Sequence, residues 1–292
     1  MMRWIQLAVL VVMGVPMMAN DSLRTRVGGF AGVGLNVHDA SFRELPGVPS
    51  CCPEYTSGTG VTPSLGILAA WPISQRVALG ARLGYATLSG TLERDEATRL
   101  IQSGVVINGT FQHRVDATIP AISIEPMMMW RAVGSFFVDA GVRASLMLDP
   151  RVEQTEQIVE PSNSGTFIDA NGVDTRRRTR NEYEGALGGS VTNLALIVGL
   201  HYELPLKEDR SWILAPEITM GYGLTSIGGA SWNVHPFRVG ISVMWQSTHT
   251  DEPTIDPTLP PPLPTPLVVA PVLVPLIPAP KDLTVGLGLY AD

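Results

Sequence analysis

The chain has 292 residues, a formal net charge of −7, 16% charged residues, 29 glycines and 24 prolines. That length suits one large domain or two small ones, and the charged fraction falls well below the roughly 25% of ordinary soluble domains. The negative balance argues against a general nucleic-acid binder.

Residues 1–19 carry one early cation, Arg3, then an apolar run from Trp4 to Val15, Pro16, and small or medium residues up to Ala19. This is the layout of a secretory signal peptide with cleavage after Ala19. The alternative, an N-terminal membrane anchor, falls short of the ~20 apolar residues that a spanning helix needs. After Ala19 no apolar stretch of that length follows. "PLVVAPVLVPLIPAP" (266–280) is broken by proline every three to five residues, and each proline removes a backbone donor and clashes with the preceding turn. The exported chain is therefore expected not to cross a membrane as helices.

From residue 20 to 247 the pattern has period two, the signature of strands. The first strand covers about 25–37, with Val27, Ala31, Val33 and Leu35 on one side. The second covers 61–73, with Leu65, Ile67, Ala69 and Trp71. In the third, Val77, Leu79, Ala81, Leu83 and Tyr85 alternate with Ala78, Gly80, Arg82, Gly84 and Ala86. The fourth, 117–131, has Ile122, Ile124, Met128 and Trp130 on one side. In the fifth, Phe136, Val138, Ala140, Val142, Ala144 and Leu146 face away from Phe137, Asp139, Gly141, Arg143 and Ser145. The sixth sets Leu194, Leu196, Val198, Leu200 and Tyr202 against Ala195, Ile197, Gly199, His201 and Glu203. The seventh sets Trp212, Leu214, Ile218, Met220 and Tyr222, interrupted by Pro216, against Ala215, Glu217, Thr219, Gly221 and Gly223. The eighth, 234–246, sets Phe237, Val239, Ile241, Val243 and Trp245 against Arg238, Gly240, Ser242, Met244 and Gln246.

Short connections ("SQR", "AVGS", "LKEDR") alternate with long ones at 38–60, 93–115 and 148–188 and a shorter one at 225–233. Strict alternation is the mark of an up-and-down barrel with all its long loops at one end. A soluble barrel would put the apolar face inside and a Lys-, Glu- and Thr-rich face in water. Here the second face is mostly Gly, Ala and Ser with isolated charges. The bulky Leu, Val and Ile face is therefore assigned to lipid. Trp71, Trp130, Trp212 and Trp245 fall at the ends beside the short turns or the C-terminus, where an aromatic girdle meets the membrane interface. The competing reading is tryptophan marking strand ends in a sandwich core.

The fold class expected is all-β: an eight-stranded antiparallel up-and-down transmembrane barrel with a disordered Pro-rich C-terminal tail. Eight strands leave an interior just wide enough for side chains. That interior is assigned Arg82, Glu125, Asp139, Arg143, Glu203, Glu217 and Arg238, three cations against four anions. A dry charge needs a partner, so an internal ion-pair network that plugs the lumen is expected, with some members solvated if they sit at the rim.

This architecture resembles the bacterial outer-membrane β-barrel family, in particular the small eight-stranded barrel of OmpA-type proteins. In that family the last strand ends in a recognition pattern for the barrel-assembly machinery. Arg238, Gly240, Ile241, Val243 and Trp245 stand in its places, although Val243 takes a position often held by an aromatic. The resemblance implies a Gram-negative outer membrane, contact with its lipids and lipopolysaccharide, periplasmic termini, and a structural or anchoring role in the envelope. The alternatives are adhesion through the long loops or, less favoured, a narrow channel or a lipid-modifying enzyme. Family signals of this kind usually close the protein, whereas here 46 residues follow Gln246. Residues 248–281 form a Pro-rich linker with 11 prolines between Pro253 and Pro280. As polyproline II its 28 residues from 253 to 280 would reach roughly 87 Å at ~3.1 Å each. In OmpA-type proteins such a hinge leads to a periplasmic domain that grips peptidoglycan. Residues 282–292 instead read as a short tail, with one strand-like run at 282–290 that is either the start of a missing domain or a scrap of ordered tail.

Catalytic, metal and cofactor sites are expected to be absent. The five histidines show no ligand spacing, although His201 is expected to face the lumen. Cys51 and Cys52, adjacent in the first long loop, form a strained vicinal disulfide, pair with another chain, or stay unpaired. "RRRTR" (176–180) reads either as an anion-binding run or as a solvated loop partly offset by Glu182 and Glu184.

Overall fold

Thirteen strands form in chain order among the described residues, because most segments between residues 26 and 246 alternate bulky and small side chains. The computed structural model describes residues 23–45, 53–102 and 105–247. The expected signal peptide, Cys51 and Cys52, the Pro-rich linker and the tail lie outside them. The strands are β1 (Arg26–Phe42), β2 (Tyr55–Pro72), β3 (Val77–Thr87), β4 (Gly90–Gln102), β5 (Val105–Thr118), β6 (Pro120–Val133), β7 (Phe136–Met147), β8 (Arg151–Glu160), β9 (Thr179–Ala186), β10 (Thr192–Tyr202), β11 (Leu204–Pro205), β12 (Trp212–Gly223) and β13 (Ser231–Gln246).

Eight of these close a barrel. The antiparallel ladder runs β1–β2–β3–β6–β7–β10–β12–β13 and returns to β1. The closing seam pairs Arg26 with Gln246 at one end and Ser41 with Ser231 at the other. Closure removes every sheet edge from this part of the molecule, which is what a bilayer demands of strands. The strands β3, β7, β10 and β12 span 11 or 12 residues, close to the 9–11 tilted residues that cross a hydrocarbon core.

The outward face is apolar: Val33, Leu65, Ile67, Leu83, Ile124, Val198, Ile218, Val239 and Ile241 are all exposed. Trp71, Trp130, Trp212 and Trp245 are exposed on the same face at the short-turn end, where Trp212 lies opposite Trp245 in register. Tyr85 and Tyr222 are exposed towards the other end. The chain is thus an inside-out barrel with a belt facing lipid.

Two of the expected long connections are not loops. The segments 93–115 and 148–188 contain β4, β5, β8 and β9. These strands continue the barrel wall beyond the membrane: β4–β5, β5–β8 and β8–β9 extend the pairs β3–β6, β6–β7 and β7–β10 upward. The joints are short. Leu88 donates to the Ile119 carbonyl at 2.7 Å and Leu148 to the Pro120 carbonyl at 2.8 Å. Asp149, in the left-handed region at φ 45°, turns the chain between β7 and β8. At these joints the outward face changes from Leu and Ile to charge: Glu93, Asp95, Arg114, Arg151, Glu153 and Glu184 are exposed. The other two long connections shorten to 43–54 and 224–230 because β1, β2 and β13 run further than the apolar alternation does.

An apolar core lies at this outer mouth, built from residues such as Phe42, Tyr55, Leu92, Val115, Val152 and Trp232. Phe42 packs at 5.4 Å, tilted by 36°, against both Tyr55 and Trp232. The Trp232 indole donates to His38 Nδ1 at 2.9 Å, which fixes the buried imidazole beside Gly90. A Cβ on Gly90 would overlap the His38 ring. Gly90→Ala is therefore expected to lower stability by about 1–3 kcal/mol through overpacking. An unchanged thermal midpoint would mean that the ring can leave its place.

The 161–178 segment lies against the inner face of the outer sheet. Phe167 meets Phe111 at 5.2 Å. Of the "RRRTR" run, Arg178 donates to the carbonyls of Ile158, Pro161 and Ser164. Arg180 grips Glu156 with two bonds, at 2.9 and 2.6 Å, and covers the Phe167 ring at 4.4 Å. Half of the run thus holds the loop together, while Arg176 and Arg177 remain exposed. On the outward face, burial works against the Asp116 carboxylate, but hydrogen bonds from Arg114 at 2.6 Å and Thr91 at 2.5 Å hold it below the usual carboxylate range. A depressed carboxylate stabilises above its unfolded pKa and loses that contribution as pH falls through its folded value. Amide protection of β4 and β5 is therefore expected to weaken on acidification below the carboxylate range, and less so in Asp116→Asn.

Candidate functional site

The interior of the barrel is stratified. Positions that alternate with the lipid belt point inward, and the closed ladder stacks them in layers. All seven charged residues assigned to the lumen from sequence are buried: Arg82, Glu125, Asp139, Arg143, Glu203, Glu217 and Arg238. Two further groups join them. Arg26 stands just before the first outward residue of β1, where the alternation already places it inside. His201 is the other.

At the short-turn end, Arg26 pairs with Glu203, and its Nε donates to Gln246 at 3.2 Å. His201 Nδ1 lies 2.7 Å from Asp139, and its Nε2 lies 3.6 Å from Glu203. The imidazole stacks on Phe137 at 4.7 Å and 8°. This chain of polar groups is packed among Leu23, Ala70, Ala78, Met127, Met129 and Ile197. Both ring nitrogens of His201 face carboxylates rather than a hydroxyl nucleophile.

In the middle layer, Arg82 makes a two-pronged bond to Glu217 at 2.8 and 2.7 Å, and Ser242 donates to the same carboxylate at 2.7 Å. Arg143 pairs with Glu125, which also lies 3.5 Å from Arg238. The Arg82 guanidinium sits 5.2 Å from the Phe30 ring centroid. Phe30 has room there because its neighbours across the ladders are glycines: a Cβ on Gly66 or Gly84 would meet the ring at 2.7 Å. The assigned charges thus pair with one another inside the barrel, and Asp139 has a histidine as its hydrogen-bonding partner.

The outer layer is polar and neutral. Asn36 donates to the carbonyls of Thr87 and Ser89, each at 3.0 Å, and Asn193 donates to that of Thr225 at 3.0 Å. Above it lies the aromatic core of the mouth. Beside the central charges is a cavity of about 10 Å³, the size of one water. Among the described residues no group of His, Cys, Asp and Glu is arranged to hold a metal ion.

Arg238, Gly240, Ile241, Val243 and Trp245, the residues assigned to an assembly signal, all lie on β13, the closing strand. Arg238 points into the lumen, whereas Ile241 and Trp245 point to the lipid side. Gly240 packs closely against the seam: a Cβ there would come within 2.6 Å of the Ala31 carbonyl.

No protein-family model and no curated protein matches the chain. Among solved structures it is similar to Ail, the attachment invasion locus protein of Yersinia pestis, at 7% identity and a TM-score of 0.33, covering 76% of this chain and 100% of that one. It is also similar to neisserial surface protein A, at 13% identity and a TM-score of 0.36, over 78% and 100% of the two chains. A third is the outer-membrane protease OmpT of Escherichia coli, at 7% identity and a TM-score of 0.30, over 79% and 99%. The closed eight-strand ladder, the lipid-facing apolar belt and the charged interior make this chain an eight-stranded antiparallel transmembrane β-barrel.

Proposed function

We propose that the protein serves the cell envelope as a non-conducting outer-membrane anchor. The observation that carries this is the filled lumen. An apolar cluster at the short-turn end, the ion pairs in the middle and an aromatic core at the mouth follow one another, with about 10 Å³ of free space beside the charges. The short-turn end, with both ends of the barrel's strand series, faces the periplasm, and the extended sheet stands outside the cell. Lipids and lipopolysaccharide surround the belt, and the assembly machinery reads the closing strand. The proposed role is not enzymatic: both nitrogens of His201 face carboxylates, not a hydroxyl nucleophile. Reconstituted in planar bilayers, the protein is expected to give no steady conductance. A sizeable steady current would overturn the reading.

A second reading is favoured by the outer sheet: a surface-binding protein that displays a stiff, charged wall. Replacing residues 151–186 with a short turn is expected to leave the heat-modifiable barrel intact on a gel and to abolish binding to host cells or matrix. Unchanged binding would remove this reading and leave the anchor.

A further inference from the structure

We propose that the tip of the β4–β5 hairpin inserts into the outer leaflet of a facing phospholipid membrane, with a polar collar just below it that seats zwitterionic headgroups. The inference names a partner for the surface-binding reading and rests on it. Residues 97–111, "ATRLIQSGVVINGTF", contain one ionised side chain, Arg99, and five aliphatic residues between 100 and 107. The segments below it are charged: Glu93, Arg94, Asp95 and Glu96 on β4, Arg114 and Asp116 on β5. A hairpin that met only water would have no need of this reversal.

The tip stands clear of its neighbours. β8 pairs with β5 only as far as Thr110, opposite Glu160, and β2 pairs with β4 only at Thr91 and Leu92. Beyond these, the pairs Leu100–Ile107, Ile101–Val106 and Gln102–Val105 form a two-stranded ribbon with no further ladder partner among the described residues. Such a ribbon is marginal in water. Val105 and Val106 are 62% and 60% exposed. Successive residues of a strand point to opposite faces, so the ribbon is apolar on both. A protein groove would cover one face, whereas a bilayer surrounds both.

The dimensions agree. Leu100 lies 12 residues beyond Leu88, roughly 40 Å along the strand, so the barrel's own membrane is out of reach. From Leu100 to Gln102 the ribbon rises roughly 7 Å, within the depth of about 5–10 Å at which apolar groups settle below lipid headgroups. An open recess beneath the tip is lined by Thr98, Arg99, Asn108, Thr110 and Glu160. It offers one cation and one anion, the complement of a headgroup that carries a phosphate and an amine. The carboxylates lower on the hairpin and the net charge of −7 disfavour an anionic surface.

The full chain, reconstituted at many copies per vesicle, should capture plain phosphatidylcholine vesicles on flotation, since multivalency compensates for a small contact. Val105→Asp with Val106→Asp should cut capture by roughly tenfold or more, while Val105→Leu with Val106→Leu keeps it. The heat-modifiable band checks that each barrel is folded. A fluorophore on Val106→Cys, in a chain with Cys51→Ser and Cys52→Ser, should shift to the blue and be quenched by brominated acyl chains in the captured vesicles. The same label on Thr118→Cys should not respond. No capture by the native chain, unchanged capture by the aspartate pair, capture that requires phosphatidylserine, or an unquenched label at position 106 overturns the proposal. If the aspartate pair does not fold, native capture and the label decide. Host-cell or matrix binding by a native chain that captures no plain vesicles overturns this inference alone and leaves the surface-binding reading standing.

Discussion

Glu217→Gln is expected to lower the barrel's stability by about 3–5 kcal/mol, the usual cost of removing one partner of a buried ion pair. The side chains of Arg82 and Glu217 are 4% and 8% exposed, so the stranded guanidinium could not reach water. Ser242 would lose its acceptor as well. The double variant Arg82→Met with Glu217→Leu should recover most of the loss, because an apolar pair needs no counter-charge. Urea titration in detergent, read by the heat-modifiable band, measures all three. A cost for the single variant no greater than for the double would mean that the pair is not shielded, and hence that the lumen is wet.

Leu83→Arg tests the other face. Leu83 lies midway along β3 on the lipid side, with Ile67 and Ile124 beside it in register. An arginine at mid-belt should cost about 2–4 kcal/mol. Thr155→Arg, on β8 beyond the apolar belt, should cost nearly nothing. Equal effects at the two sites, or normal assembly and melting of the Leu83 variant, would sink the assignment of this face to lipid.

The barrel was legible in the sequence because a bilayer imposes a strong rule on each strand. Every second residue from Val77 to Tyr85, or from Phe237 to Trp245, must be apolar, and the residues between them must be small or paired. The outer sheet obeys no such rule. In "TLERDEATRL" (91–100) charge appears on both faces, since one face meets water and the other holds polar groups such as Glu96, hydrogen-bonded to the buried His113 at 3.0 Å. In β8 the inward places include Gln154 and Glu156. Such segments become strands because β3, β6, β7 and β10 hand them their register, which is a long-range effect that local periodicity does not carry. The lumen's membership was largely legible for the same reason as the belt. Which charge meets which was not, because partners such as Arg82 and Glu217, or His201 and Asp139, are set by strand stagger around the closed ladder.

The continuity of wall and outer sheet also has a mechanical consequence. A force on β4, β5, β8 or β9 along the strand axes pulls on barrel strands through joints of only a few residues. Ladder hydrogen bonds lie across the strands, so such a tug shears many of them together instead of peeling them one by one. Tension applied to this sheet would thus be passed to the membrane-embedded seams, and yielding would begin at the joints around Leu88, Ile119, Asp149 and Leu187 rather than within the belt.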